Sequence, residues 1–199
     1  MKNLSDNENM PKRAERKEQT EDSWLKVFFQ FVITFIVIFG LFSALFTFVL
    51  EKETVSGTSM QTTFESGDNL IALRNPGVGR GDVVIVKVPT SDGKTELYIK
   101  RIVGLPGEKI ESKNDQMFIN GQQLDESYLD GGKAKFKATN PDSLFTNDFE
   151  TTVPADSYFV MGDNRSVSKD SRIIGPVSKS QIEAKVLWRF WPLNTMRTF

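Results

Sequence analysis

The feature that most constrains this chain is an uncharged, strongly apolar run from Val27 to Leu50. As a helix it would extend roughly 36 Å, enough to cross a bilayer core of about 30 Å with some tilt. A cleaved secretory signal is the alternative, but its apolar region is only about 7–15 residues long, and no Ala-x-Ala site follows this run. We therefore predict one retained transmembrane helix over residues 24–50.

Basic residues near the ends of the span predict its orientation. Only Lys52 follows the span closely, whereas the basic residues that precede it are Lys12, Arg13, Arg16, Lys17 and Lys26. Positive charges near a span favour the cytoplasmic side. Residues 1–23 are therefore predicted to form a polar, disordered cytoplasmic tail, and the chain after Glu51 to lie outside the cell membrane.

Two absences limit the chemistry. The chain has no cysteine and no histidine, which excludes a cysteine protease, a disulfide framework, a Ser-His-Asp triad and the usual zinc sites. A net charge of −1 gives no basic face for nucleic acid. We predict no metal, no cofactor and no nucleic-acid partner. Any hydrolase built from this chain must use lysine, a carboxylate or tyrosine as its base.

Short apolar or alternating runs, separated by turn residues, predict a mainly β outer domain with antiparallel sheet. Asn120-Gly121 favours a tight hairpin, and a single helix is predicted at Ser178–Ala184. The clearest strands are Asn69–Leu73, Asp82–Val88, Leu97–Val103, Met117–Ile119, Tyr158–Met161 and Lys185–Phe190.

The middle of the outer domain differs in composition. Residues 107–155 are rich in Lys, Asp, Asn and Gly and have fewer apolar runs than their flanks. We predict a smaller inserted β-domain here, carried by a catalytic β-domain made of residues 51–106 and 156–199. A set of long hairpins is the alternative.

Ser59 is the first candidate for chemistry. It lies in Val-Ser-Gly-Thr-Ser-Met, shortly after the span, where small residues such as Gly57 allow a sharp turn and a close approach of substrate. The Ser59 N–H could contribute to an oxyanion site. A Ser/Thr-rich linker leaving the membrane has the same composition, so the segment alone does not decide.

Lys100 is the second candidate. In a strand, Tyr98, Lys100 and Ile102 point to one side, so the ammonium would lie among apolar neighbours. Burial lowers a lysine pKa, and a neutral amine can take a proton from a serine hydroxyl. A lysine that extends its amine to solvent at a sheet edge is the alternative.

The segment from Met161 to Arg172, a polar run, is the third candidate. It follows a predicted strand and is dense in Asp, Asn, Arg and Ser. Such residues can build a hydrogen-bonded scaffold beneath a site; a hydroxyl among them could orient the lysine, and Asp170 could pair with Arg172. A solvated loop has the same composition.

Taken together, these segments resemble type I signal peptidases, membrane proteases that remove signal peptides from exported proteins. The resemblance covers the chain in order. Its motifs are one anchor, Ser-Gly-Thr-Ser59-Met60, Arg80-Gly-Asp82-Val-Val, Tyr98-Ile-Lys100-Arg-Ile-Val-Gly-Leu-Pro-Gly and Gly162-Asp-Asn-Arg…Asp170-Ser-Arg172.

The resemblance implies specific roles. Ser59 would be the nucleophile and Lys100 the general base, with Ser168 hydrogen-bonding the lysine amine. Asp170 and Arg172 would form a structural ion pair. The residues beside the substrate pockets for small P1 and P3 side chains would be Gly57, Met60, Tyr98 and Ile99. The implied partners are signal-peptide-bearing preproteins and the lipid bilayer, and the substrate would add as a strand beside Ser59 and the Asp82–Val88 region.

The chain departs from the family pattern at three positions. Thr62 and Phe64 replace Pro and Leu after the nucleophile, and Phe64 is expected to reshape the P1 pocket. Gly57 stands where two-span relatives often carry a serine that donates a hydroxyl to the oxyanion. An inactive membrane-tethered binding module and a self-cleaving repressor-type Ser/Lys protease are the rival functions; the span argues against the second.

Overall fold

One long helix, α1, extends from Lys12 to Ala44, and a π-helical turn at Leu45–Val49 continues it. The computed structural model describes residues 12–75 and 77–199, with side chains from residue 24 onward. The predicted cytoplasmic tail thus lies partly outside the described residues. Its remaining part, residues 12–23, is helical, so the prediction of disorder is wrong there: this stretch is rich in the good helix formers Glu, Lys, Arg and Ala.

The stretch Trp24–Val49 is long and apolar enough to cross a membrane, and none of it is buried. A helix that is apolar over this length and is not buried is typical of a lipid-embedded segment. The chain divides into two units, Met1–Phe48 and Val49–Phe199, of which the second contains all the strands.

Among the described residues, twelve strands make up two antiparallel sheets, which confirms the mainly β prediction. In the larger sheet the order is β1-β2-β11-β3-β4-β9-β10, with β12 paired to β11; the smaller has the order β7-β6-β5-β8. The strands are β1 (Leu50–Thr54), β2 (Asn69–Arg74), β3 (Val83–Pro89), β4 (Thr95–Gly104), β5 (Lys109–Lys113), β6 (Gln116–Ile119), β7 (Gln122–Gln123), β8 (Phe149–Thr152), β9 (Ser157–Met161), β10 (Val177–Ser178), β11 (Ile182–Trp191) and β12 (Arg197–Thr198).

Strand β3 lies in the middle of the larger sheet, with β4 and β11 as neighbours. Its residues Val83–Val86 are all buried, and alternate residues enter two different clusters because successive side chains point to opposite faces. Val83 and Ile85 pack with Met60, Phe64 and Leu70, whereas Val84 and Val86 pack with Ile102, Val160 and Val177. The sheet is therefore covered on both faces.

The smaller sheet uses residues between β4 and β9. Its hairpin at Asn120-Gly121 is confirmed: Ile119 pairs with Gln122, and both turn residues have a positive φ. The same region also contains a helix that the sequence analysis missed, α2, from Asp130 to Thr139. Two glycines in its first turn and only one large apolar residue hide its periodicity.

The predicted helix at Ser178–Ala184 is wrong. Only a single 3₁₀ turn forms, at Lys179–Gln181, and the chain enters β11 at Ile182. The N-terminal signals are real, because Ser178 and Gln181 form a capping box. The helix does not extend because Ile182, Ala184 and Val186 are buried by strand-type alternation.

Candidate active site

Ser59 lies in a turn that leaves the larger sheet after β1. Gly57 has a φ of +86°, a conformation that a side chain would strain, and the Phe64 N–H donates to the Met60 carbonyl at 2.9 Å. Met60 and Phe64 are buried in the core and fix the turn, while Ser59 stays partly exposed. The turn therefore holds the backbone of Ser59 rigid while the Ser59 side chain stays accessible.

Lys100 lies on β4 opposite Val84 and is only 3% exposed. Its Nζ is 2.7 Å from the Ser59 Oγ and donates to the Ile99 carbonyl at 3.0 Å. The Tyr98 ring lies 5.1 Å from the Nζ. The alternative of a solvent-exposed lysine therefore does not hold.

Burial lowers the pKa of the Lys100 amine to about 8, although the charges of Asp170 and Asp163 act in the opposite direction. Desolvation disfavours the charged form of an amine. An appreciable fraction of this amine is consequently neutral near physiological pH, and that form can accept the Ser59 proton.

The loop after β9 holds the Ser59 backbone. The Asn164 N–H donates to the Ser59 carbonyl at 3.0 Å, and the Asn164 side-chain amide donates to the Thr58 carbonyl at 3.1 Å. Gly162 allows this approach: a Cβ there would lie 2.4 Å from the Ser59 carbonyl and 2.2 Å from the Ser168 Oγ. Only glycine fits at this point.

Asp170 and Arg172 are joined by two hydrogen bonds of 2.8 Å each. Asp170 also accepts the Gly162 N–H at 3.0 Å. Burial alone would raise the pKa of Asp170, but Arg172 and the Gly162 N–H outweigh it and hold the pKa below its ordinary value. This pair ties the loop to the start of a short helix, α3 (Ser171–Ile174).

Ser168 is buried beside Gly162, but the structure does not bring it into a hydrogen bond with Lys100. Its Oγ makes no hydrogen bond of good geometry among the described residues, although the hydroxyl lies close enough to Asp170 to help lower the pKa of that carboxyl. The expected contact between the Ser168 hydroxyl and the lysine amine is therefore absent from this arrangement.

Two buried ion pairs hold the loop after β9 in place. Asp163 accepts from Arg101 at 2.6 and 2.9 Å, and Arg165 pairs with Glu126 at 2.5 Å. The Arg165 side chain is completely buried. Glu126 lies in the smaller β-region, which comprises residues 105–156 between β4 and β9. Residues distant in sequence therefore support the same loop.

A cleft of about 300 Å³ opens beside Ser59 and Lys100. Its walls are the chain from Glu53 to Met60 and the first half of β4, and they include Gly57, Met60, Tyr98 and Ile99.

Two strand edges face this cleft. In the described part of the chain, β1 pairs only with β2, and β9 pairs with β4 only from Arg101 onward. An extended peptide could pair with such edges.

Two expectations about substrate contact are wrong. The Asp82–Val88 region offers no edge to a substrate, because β3 is paired with β4 and β11. Phe64 does not line the cleft; it is fully buried and its ring lies 4.5 Å from the Phe199 ring. The larger side chain at this position fills the core instead of the P1 pocket.

Known proteins are similar to this chain in sequence. A family model described as signal peptidase, peptidase S26, matches residues 28–191. Signal peptidase IB of Staphylococcus aureus (strain Mu50) is 32% identical over 183 residues, which cover 86% of this chain and 94% of that protein. Signal peptidase I S of Bacillus subtilis (strain 168) is 40% identical over 156 residues, which cover 75% of this chain and 82% of that protein.

The chain belongs to the type I signal peptidase family. The resemblance stated from the motifs is thereby confirmed, and with it the enzyme class, a serine peptidase. A solved signal peptidase I from Enterococcus faecalis V583 shares 34% identity with a TM-score of 0.49, covering 55% of this chain and 97% of that chain.

Several residues of this signal peptidase site escaped the sequence analysis. Asn164 lies within the polar run, but nothing in the sequence shows that its backbone and side-chain N–H groups contact the nucleophile turn. Glu126 and Tyr128 contact Arg165 across the fold, and such long-range pairing leaves no local signal. Lys169 and Val167 also line the cleft. Among the described residues, no group of three acidic side chains could hold a metal ion.

Proposed function

We propose that this signal peptidase removes N-terminal signal peptides from exported preproteins, cleaving after a small P1 residue through a Ser59–Lys100 dyad. The observation that carries the proposal is the 2.7 Å contact between the Ser59 Oγ and a buried lysine amine whose pKa is lowered. Family membership supports the reaction class.

Catalysis begins with proton transfer from the Ser59 hydroxyl to the neutral Lys100 amine. The Ser59 Oγ attacks the carbonyl carbon of the P1 residue, and the protonated amine then gives its proton to the leaving nitrogen. An ester to Ser59 remains. Lys100, neutral again, takes a proton from water, and the resulting attack releases the signal peptide and restores the serine.

The oxyanion must be stabilised without a side chain at Gly57. Backbone N–H groups commonly serve this purpose when they are held rigidly. We assign one donor to the Ser59 N–H, because the Asn164 side chain holds the Thr58 carbonyl of the same peptide unit and Met60 is buried on the other side of Ser59.

The cleft accounts for selectivity. An extended substrate strand pairs with the free edges of β1 and β4, and its alternate side chains at P1 and P3 point to the same wall. Met60, Tyr98 and Ile99 occupy that part of the cleft with Gly57. In a volume of about 300 Å³ shared with the backbone of the substrate, small side chains such as alanine fit best.

The supporting residues act through Lys100 and its loop. Ser168 is assigned the hydrogen bond that orients the neutral amine. Its buried hydroxyl makes no hydrogen bond of good geometry among the described residues, and such a group gains free energy when it forms one. Asp170 and Arg172 hold the loop, and the Asp170 charge limits how far the lysine pKa falls.

The proposed location is the cell membrane. The span Trp24–Val49 anchors the chain, and the excess of lysine and arginine before it favours a cytoplasmic N-terminus with the catalytic unit on the outer side. Exported preproteins present their cleavage sites on that side.

The test is cleavage of a preprotein by the full-length protein in detergent, followed by N-terminal sequencing of the product. A single cut after a small residue is expected, and Ser59→Ala and Lys100→Ala should both abolish it. No cleavage in trans would support the inactive binding module or a self-cleaving protease. Full activity in either variant would refute the dyad.

A further inference from the structure

A second, smaller groove adjoins the catalytic cleft. It has a volume of about 220 Å³ and shares one residue, Val167, with the cleft. The Val167 side chain is 59% exposed, so an apolar surface forms the boundary between the two concavities. The groove is lined by Gln61, Thr62, Gly132, Lys135, Phe136, Thr139, Asn164, Ser166 and Val167.

The order of the lining residues along the chain indicates where a bound substrate would enter the groove. The chain from Glu53 to Met60 lines the cleft, and the next two residues, Gln61 and Thr62, line the groove. A peptide that lies in the cleft up to Ser59 and continues in the same direction must therefore pass Val167 and enter the groove.

We propose that this groove binds the residues that follow the scissile bond, and that Lys135 gives it a preference for an acidic side chain among the first four of them. This inference rests on the proposed function, because it takes the part of the substrate before the bond to occupy the cleft.

One face of α2 forms the outer wall. Gly132, Lys135, Phe136 and Thr139 are spaced i, i+3, i+4 and i+7, so they lie along a single helical stripe. All four line the groove. The smaller β-region thus contributes a continuous surface to the substrate path.

Of the three lysines on α2, Lys135 is the one that lines the groove. Lys133 donates to the Asp115 carbonyl at 2.7 Å, and Lys137 pairs with the Asp115 carboxylate at 2.8 Å. Lys135 is exposed and makes no hydrogen bond or ion pair within the described part of the chain. A carboxylate in the groove would be its first partner.

Thr62 lies where α2 approaches the nucleophile turn. A Cβ added to Gly132 would lie 3.8 Å from the Thr62 Oγ1 and 3.9 Å from the Gln61 carbonyl. The turn and the first part of the helix are therefore in near contact. The residue that departs from the family pattern lies in this groove, where it meets the substrate after Ser59.

The experiment compares internally quenched peptides that carry alanine at P3 and P1. Asp, Asn or Lys is placed in turn at P1′, P2′, P3′ and P4′, and kcat/KM is measured with the full-length protein in detergent at low salt. The variants are Lys135→Ala and Lys135→Glu. Lys113→Glu is the matched control, because Lys113 is an exposed lysine of the same region that lines neither the cleft nor the groove.

At one or more positions the wild-type protein should cleave the Asp peptide about three- to tenfold faster than the Lys peptide, the range expected for a partly screened charge pair. The ratio should fall to near one in Lys135→Ala, invert in Lys135→Glu and persist in Lys113→Glu. An unchanged ratio in Lys135→Glu at all four positions would overturn the groove assignment while leaving the proposed function intact. Failure to cleave any peptide would overturn both.

Discussion

Opposing influences meet at Lys100. Burial removes water from the amine and lowers its pKa, whereas Asp170 and Asp163 favour the charged form. The outcome, a pKa of about 8, leaves roughly a tenth of the amine neutral at pH 7. The site therefore combines a usable base with a lysine that still interacts with its acidic neighbours.

This pKa predicts an acid limb in the pH profile. Because only the neutral amine accepts the Ser59 proton, kcat/KM should fall about tenfold for each pH unit below 8 and level off above it. Steady-state cleavage of a peptide between pH 5.5 and 9.5 measures the limb. A profile that is flat below pH 8 would contradict the assignment of Lys100 as base.

Gly162 gives a second prediction at the residue scale. Gly162→Ala would place a Cβ 2.4 Å from the Ser59 carbonyl, so the nucleophile must move. Because a displacement of about 1 Å can cost 100-fold, kcat/KM should fall by about that factor.

Gly79→Ala is the matched control, since a Cβ there would lie 4.0 Å from the nearest atom, the Asp82 Oδ2. Kinetics of both variants decide the matter. Comparable activity in Gly162→Ala and wild type would show that the loop does not position Ser59.

At the scale of elements, the loop after β9 depends on a residue of the smaller β-region. Arg165 is fully buried and its guanidinium is paired with Glu126, while the Tyr128 ring packs 4.3 Å from the Arg101 guanidinium. The two regions therefore share one buried polar network, and that network supports the Asn164 contact with Ser59.

Removing one partner of this network should be costly. Glu126→Gln removes the carboxylate that is hydrogen-bonded to the buried Arg165 and should reduce the free energy of unfolding by about 3 kcal/mol. Glu150→Gln is the control, because its pair with Lys109 is exposed and should contribute much less to the free energy of unfolding. Denaturant unfolding in detergent compares them. Equal losses would show that the Arg165–Glu126 pair is not a special support.

The sequence predictions are accurate where a signal depends on residues that are close together in the chain. The span, the central strands and the Asn120-Gly121 hairpin depend on neighbouring residues, and all three are found. The helix α2 was missed because its two glycines obscure the helical periodicity. The start of β11 at Ile182 was missed because the capping residues before it indicate a helix, whereas packing favours a strand.

The same distinction applies to the site. Ser59 and Lys100 were proposed from motifs, and the structure brings their side chains into contact. The edges that flank the cleft could not be derived, because strand order is set by contacts across the fold. Phe64 was misjudged for the same reason: only the three-dimensional arrangement shows that it points into the core.

At the scale of the whole molecule, the residues assigned to the site all belong to one unit of the chain. They lie between Glu53 and Arg172, inside the second unit, Val49–Phe199. The apolar helix is therefore assigned to location and the β-unit to chemistry, so the detergent-solubilised protein should carry out the complete reaction on a peptide.

The most direct measurement of the central claim is to trap the acyl-enzyme. A peptide ester with alanine at P1 is mixed with the full-length protein, quenched with acid within the first turnover and digested for mass spectrometry. The account predicts one acyl group per chain on the fragment that contains Ser59, formed about 10³-fold more slowly in Lys100→Met. An acyl group on any other residue, or an equal rate in Lys100→Met, would contradict it.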